Sequence, residues 1–360
     1  MVNFVSGRRR LLPASAALLL SFCALGAQAE DAEILERYAA YEQATRSGDY
    51  DAAVAPIATA LERAEALYDE DHETVALLSY HYGRALFRKG QWRDAYQALE
   101  VARERYGQAF GEASSDMVTV TLGLGDAADT SGVARRHYEE AARLSESVNG
   151  ASSVAHARVL LKGGVGLVET HRADTDAGML EKAREVLAAT DASSVLRAEA
   201  AMQLGKLRLI QGRIDSAEAL SLETISLDDS ALVAPAHSLL VRIYESRGES
   251  DAATPHALAV GRLSSERDGN EDYLPLFRMA PMYPMNALRA GKTGYVDLMF
   301  TVDENGYPRD IKATAGEELA TFRAAATKAA RAFRYAPRFK DGVPVATQGV
   351  GTRIRFEIER

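Results

Sequence analysis

PMYPMNALRAGKTGYVDLMFTVDENGYPRDIKAT, residues Pro281 to Thr314, decides how the C-terminal part of this 360-residue chain folds. Val296, Leu298, Phe300 and Val302 alternate with Asp297, Met299 and Thr301, the period-two pattern of a strand with one buried face. Asp303-Glu-Asn-Gly306 supplies a tight turn, because Asn and Gly tolerate positive φ. A second strand, Tyr307 to Ala313, is expected to fold back on the first. After Gly316 the period becomes helical: Leu319, Phe322, Ala326, Ala329, Ala330 and Phe333 share one face, with Arg323, Thr327, Arg331 and Arg334 opposite. Glu317 and Glu318 at the start and the arginines at the end suit the helix dipole, and Tyr335-Ala-Pro337 stops the helix. A last strand, Gly351 to Glu359, points Ile354, Phe356 and Ile358 inward and Arg353, Arg355, Glu357 and Glu359 outward.

The ordered set Pro281-x-Tyr-Pro284, Ala287, Gly291, Gly294-x-Val296, Gly306, Phe322, Ala325-Ala326, Phe333-x-Tyr335-x-Pro337, Gly342-x-Pro344 and Phe356 resembles the TonB C-terminal domain family over about a quarter of the chain. Phe333 stands where that family often has tryptophan, and it fills the same core slot. The resemblance implies a periplasmic binding module that pairs with a short peptide of an outer-membrane TonB-dependent transporter. The physics of such pairing is strand addition, in which an open sheet edge offers unpaired N–H and C=O groups to an extended peptide. The final strand, about Val350 to Ile358, is the edge expected to do this, with Thr352, Arg353, Ile354, Arg355, Phe356 and Glu357 as partner-binding residues. The competing reading is an edge merely protected from aggregation by its charges.

At the other end, Arg8-Arg9-Arg10, an apolar run from Leu11 to about Leu25, and Ala27-Gln28-Ala29 have the three regions of a secretory signal peptide. Residues 1–29 are therefore expected to be a cleaved leader to the periplasm; the alternative is an inner-membrane anchor formed by residues 11–29. That stretch has Ser15 and Ser21 but no histidine, whereas the anchor of the resembled family tends to carry both types, which speaks against energy transduction. Cys23 is the chain's single cysteine, so the processed chain has neither disulfides nor thiolate metal sites.

The charge of −9 is unevenly spread: residues 275–360 carry +5 and the leader +3, which leaves −17 for residues 30–274. That acidic stretch argues against nucleic acid as its partner. It is also repetitive. Gly48-Asp-Tyr-Asp-Ala-Ala53, Gly90-Gln-Trp-Arg-Asp-Ala95, Gly212-Arg-Ile-Asp-Ser-Ala217 and Gly248-Glu-Ser-Asp-Ala-Ala253 share a turn glycine followed five places later by alanine, with weaker copies at Gly132 and near Ala173-Asp-Thr-Asp. The spacing is that of helix-turn-helix repeats and resembles tetratricopeptide repeats, in places those of kinesin light chains. Six hairpins, Asp31 to Ser265, are expected to stack into a solenoid that binds a protein not specified by the sequence. Residues 266–274 read as a short polar linker without the proline-rich reach of TonB proper, and residues 275–360 as the TonB-like domain.

No catalytic, cofactor or metal constellation emerges. The seven histidines all lie in the array, and His72-Glu73 lacks the second histidine of a zinc protease. Gly163-Gly-Val-Gly166 sits inside a helical pattern and reads as close helix packing rather than a phosphate loop, and Asp69-Glu70-Asp71 and Asp228-Asp229 read as repeat turns. Trp92 with Tyr80, Tyr82, Tyr96 and Tyr106 reads mainly as solenoid core, with a peptide groove as the alternative.

The expectation is an α+β multidomain protein, an all-α solenoid followed by a β-β-α-β domain, without enzymatic activity. Two functions compete. One is a periplasmic adaptor connected with TonB-dependent transport; the other is an envelope-assembly scaffold without energy transduction, in which Arg353 and Arg355 are covered by the array. An unpaired edge also leaves room for a homodimer.

Overall fold

The computed structural model describes residues 29–171, 176–227, 231–265 and 275–358. The expected leader, the linker at 266–274, the Asp228-Asp229 pair and the repeat remnant near Ala173 lie wholly or almost wholly outside them. Among the described residues the fold is an N-terminal array of paired helices followed by a small sheet domain. Two compact units divide the chain between Thr170 and His171. The last repeats and the sheet domain belong to the second of them.

The first unit contains α1 (Ala29–Ser47), α2 (Tyr50–Leu67), α3 (Glu73–Lys89), α4 (Trp92–Phe110), α5 (Ser115–Ala127), α6 (Ser131–Asn149) and α7 (Val154–His171). The repeat glycines do what their positions require: Gly48 and Gly90 turn at φ of 75° and 86°, and Asp49 then accepts the Ala52 N–H at 3.0 Å to start α2. Gly132 departs from this pattern, because it falls inside the first turn of α6. Side-chain contacts define two layers. Tyr38 to His81, Arg84 to Asp126 and Asp126 to Lys162 join α1, α3, α5 and α7, while Arg105 to Glu65 and Arg103 to Glu140 join α2, α4 and α6. Ala53 and Ala95, five residues beyond the turn glycines, are buried and let paired helices approach. Ile57, Leu78, Leu99 and Met117 are buried too, and each fully buried side chain of this size contributes about 1.5–3 kcal/mol.

The second unit contains α8 (Gly178–Ala188), α9 (Ser194–Ile210), α10 (Ile214–Leu227), α11 (Val233–Arg247) and α12 (Ser250–Ser265), and then the sheet domain. Its elements are β1 (Pro275–Phe277), α13 (Met285–Arg289), β2 (Gly294–Val302), β3 (Pro308–Glu317), α14 (Leu319–Ala330), β4 (Arg334–Tyr335), β5 (Arg338–Lys340), β6 (Val343–Val345) and β7 (Thr347–Phe356). The three long strands form an antiparallel sheet in the order β3-β2-β7. Val296, Leu298, Phe300 and Val302 turn toward α14 and meet Phe322, Ala326, Phe333, Ile354 and Phe356 in one core. Phe322 and Phe356 stack at 4.3 Å between ring centres, and Tyr283 caps both edge-on at 5.6 Å.

The β2–β3 turn forms as expected. Asp303 accepts the N–H groups of Asn305 and Tyr307, and Gly306, at φ 90°, leaves no room for a side chain against the Tyr335 carbonyl. Three boundaries differ from the sequence reading. β3 runs on to Glu317, so α14 begins at Leu319; the last strand begins at Thr347 and ends at Phe356; and α14 ends at Ala330. The last difference overturns the placement of Arg334 on an exposed helix face: it lies on β4 and is 0% exposed.

Candidate functional site

The site is built on β7. Val350, Ile354 and Phe356 are fixed in the core, and β2 pairs with one side of the strand from Gly294↔Phe356 to Phe300↔Val350. No strand among the described residues pairs with its other side. Of the residues expected to meet a partner, Ile354 and Phe356 thus offer it neither side chain nor backbone, because their side chains lie in the core and their backbone groups face β2. Arg355 is exposed on the strand, and Glu357 is exposed just beyond its end.

Arg353 is held in place. Its guanidinium donates to both oxygens of Asp297, at 2.6 and 2.8 Å, and lies 4.0 Å from the centre of the Tyr295 ring. The same contact holds the Asp297 carboxyl below its usual range. Cross-strand pairing explains the geometry, because Asp297 and Arg353 face each other in the β2–β7 register.

Arg278 attaches to the free side of β7. Arg278 donates to Thr352 Oγ1 at 3.0 Å and to the Arg353 carbonyl at 3.3 Å, and its guanidinium rests 5.1 Å from the Phe333 ring centre. The Arg353 carbonyl therefore points away from β2, and Gly351 and Arg355, in the same phase of the strand, direct their backbone groups the same way. Residues Arg278 to Pro281 form one wall of a shallow cleft, Arg353 to Arg355 the other, with Phe333 between them. Met279 borders this cleft, and Met282 and Met285 follow at intervals of three; Met282 is 77% exposed. Sequence reasoning missed Arg278, which belongs to no periodic segment and shows its role only when β7 is beside it.

A second constellation fastens the domain. Arg334 donates to Glu245 on α11 at 2.7 Å and to Thr254 on α12 at 2.6 Å, while its guanidinium lies 3.7 Å from the Tyr307 ring centre. Gly261 on α12 approaches the Pro337 carbonyl so closely that no side chain fits, and Arg262 rests over the Phe339 ring. The domain is thus clasped through β4 and β5, whereas Arg353 stays 47% exposed and Arg355 exposed, not covered as the scaffold reading required.

The histidines whose side chains are described are packed or act as caps. His81 lies between Tyr38 and Tyr41, His137 meets Tyr96 at 2.9 Å, His237 meets His256 at 2.7 Å, and His72 caps α3. Among the described residues no three His, Cys, Asp or Glu side chains gather as a metal site would need. Tyr106 is core, but Trp92 is exposed.

Residues 279–358 match the family of the Gram-negative bacterial TonB protein C-terminal. The matched stretch contains the cleft apart from Arg278, and it contains Arg334, Pro337 and Phe339 of the clasp. Several solved structures are similar to the chain. BtubC (BKLC) from P. vanneervenii is 19% identical, with 56% of this chain and 91% of that one covered and a TM-score of 0.44. A Podosopora anserina kinesin-light-chain-type protein with nearly identical TPR-like repeats is 13% identical, with 54% and 94% covered and a TM-score of 0.47. The apo form of RapI is 11% identical, with 68% and 78% covered and a TM-score of 0.43. No curated protein matches the chain significantly. No described helix is long and apolar enough to cross a membrane.

Proposed function

We propose that this chain is a periplasmic adaptor whose TonB-type domain captures an extended peptide by strand addition on β7, in connection with TonB-dependent transport across the outer membrane. The reading rests on one observation: β7 is locked into the core on one side and, among the described residues, has no strand on the other. Arg278 reaches that edge, and a guanidinium can swing aside. Met279 offers an unbranched, adaptable wall for the incoming side chains. The family match supports a cell-envelope location and a link to transport. The helical array serves as the second platform, for another protein, and no catalytic role is assigned to either part.

The clasp favours a second reading, a scaffold without energy transduction, because a domain held by a buried ion pair is a fixed fitting rather than a freely reaching arm. One experiment separates the two. A peptide from the periplasmic plug of a TonB-dependent transporter is titrated against the full chain and against Gly351→Pro, which removes an outward N–H from β7 while leaving its pairing with β2. Saturable binding by the parent and its loss in the variant supports strand addition. No binding at millimolar peptide, or equal binding by both, refutes it and leaves the scaffold.

A further inference from the structure

We propose that the exposed methionines Met279, Met282 and Met285 form a thioether site for a soft monovalent metal ion of the copper(I) class, on the segment that leads into α13. The inference goes beyond peptide capture and does not depend on the open edge of β7. Three of the chain's eight methionines fall within these seven residues, a grouping that scattered core packing does not produce. All three are open to solvent, Met279 at 48%, Met282 at 77% and Met285 at 58%, whereas Met117 and Met202 are buried in the array. Met282 and Met285 do not line the cleft beside β7, so the peptide reading leaves them without a role.

The backbone presents them on one side. Arg278-Met-Ala-Pro281-Met-Tyr-Pro284-Met285 places a proline directly before Met282 and before Met285. Each proline fixes its own φ at about −65°. Ala280 and Tyr283, the residues before them, are restricted to the extended and polyproline region. Pro284 has φ −64° and ψ 123°. A chain of this kind makes about three residues per turn, so side chains three apart share a face. Tyr283 turns the other way: its ring meets Phe322 and Phe356 edge-on, and its hydroxyl donates to the Lys292 carbonyl. Arg278 is tied to β7 at the start of the segment. The stretch is thus held at two points while its thioethers stay in solvent, which lowers the ordering cost of gathering them round an ion.

The donor atoms choose the ion. Thioether sulfur is a soft, neutral ligand that suits copper(I) and silver(I), whereas magnesium and calcium want oxygen donors and zinc favours thiolate or imidazole. The chain's one cysteine, Cys23, lies in the expected leader, so these methionines are the sulfur donors of the domain that stand together. Their unbranched stems let neighbouring sulfurs lean toward one ion. A single positive charge also suits the surroundings better than two, because Arg278 is close by, while Arg353 is already offset by Asp297.

The test uses the full chain carrying Cys23→Ser in every sample, so that no thiolate takes the ion. The protein is labelled with carbon-13 at the methionine methyl groups and titrated with silver(I) nitrate in chloride-free buffer. Single Met→Leu replacements assign the signals and keep the apolar volume while removing the sulfur, which separates a metal site from a merely apolar ridge. The signals of Met279, Met282 and Met285 are expected to shift together and to saturate with a single ion per chain. Met299, also 48% exposed but alone on β2, is expected to stay in place, and zinc sulfate to move none of the four. Copper(I) is then followed without oxygen by the fading of its coloured bicinchoninate complex. Met282→Leu is expected to weaken retention about ten-fold, and the triple Leu variant to abolish it. Acidification to about pH 5 should leave retention intact, because a thioether has no proton to exchange, whereas an imidazole does. The proposal is overturned if the three signals do not move with silver, if Met299 moves with them at the same silver concentration, or if the triple Leu variant keeps the copper.

Discussion

Replacing Glu245 with Leu should unfold the second unit at much lower denaturant while leaving the first unit as it is. Arg334 is 0% and Glu245 7% exposed, so the variant strands a guanidinium in the interior with only Thr254, at 2.6 Å, and the Tyr307 ring beside it. The Arg334 Nε already lacks a partner, so nothing nearby compensates. Breaking a buried pair by removing one member costs about 3–5 kcal/mol, whereas replacing both by apolar groups of similar volume is often close to neutral. At a urea slope of about 2 kcal/mol per molar, the single variant loses roughly 1.5–2.5 M in midpoint. The double variant Glu245→Leu with Arg334→Met should recover most of that, a coupling of about 3 kcal/mol. The single tryptophan, Trp92 on α4, makes the assay selective. Its fluorescence follows the first unit, while far-UV circular dichroism follows both, so the variant should separate two transitions that share no common shift. A midpoint change under about 0.3 M, or a double variant as weak as the sum of the singles, would show that the ion pair is not what fastens the domain.

Acid should destabilise the first unit through His81, whose ring is pushed down to about 4 by burial and then by Arg84. The unfolded chain takes up that proton near its ordinary value of about 6.5, so stability is intact above this and falls as pH drops toward 4, by about 2–3 kcal/mol; His81→Gln should flatten the thermal-denaturation slope between these values. Gly125→Val should cost about 1–3 kcal/mol in a thermal melt, because the new side chain meets Tyr138 at 2.5 Å or less. Phe322→Ala removes a fully buried ring stacked on Phe356 and should cost about 3–5 kcal/mol, read as an early loss of structure in the second unit. Arg278→Ala frees the Arg353 carbonyl and should tighten plug-peptide binding by calorimetry, since the peptide no longer displaces a guanidinium; weaker binding would show that Arg278 holds the peptide instead.

The long elements of the sheet domain were legible because each keeps one period: two through Val296, Leu298, Phe300 and Val302, and helical through Phe322, Ala326 and Ala330. β1, β4, β5 and β6, at two or three residues each, are too short to display any period. Arg334 was misplaced for the same reason. The helical pattern through Phe333 runs on past Ala330, where α14 ends, and the partner that draws the arginine inward, Glu245, is 89 residues away. The array carried a signal that spacing alone can expose. Arg84 and Asp126 are 42 residues apart, the interval from Gly48 to Gly90, so they occupy equivalent places on neighbouring repeats. Tyr96 and His137, at 41, are joined in the same way. Opposite charges one repeat apart are neighbours in any stacked array, and that rule points to the Asp126 cluster before any coordinate is seen.

The edge and the clasp are joined by an unbroken run of contacts. Arg353 offers its carbonyl to Arg278, Arg278 rests on Phe333, and the next residue, Arg334, reaches Glu245 and Thr254 on the last two helices of the array. A peptide strand that claims the Arg353 carbonyl must move Arg278, and this uncovers the ring adjoining the buried ion pair. Under the strand-addition proposal, displacement of Arg278 would take place one residue away from the clasp. Contact by itself is a route and not a coupling energy. The energy is what the Glu245 and Arg334 double-variant cycle yields when it is repeated with peptide bound, and a value unchanged by peptide would make the edge and the clasp two independent devices in one small fold.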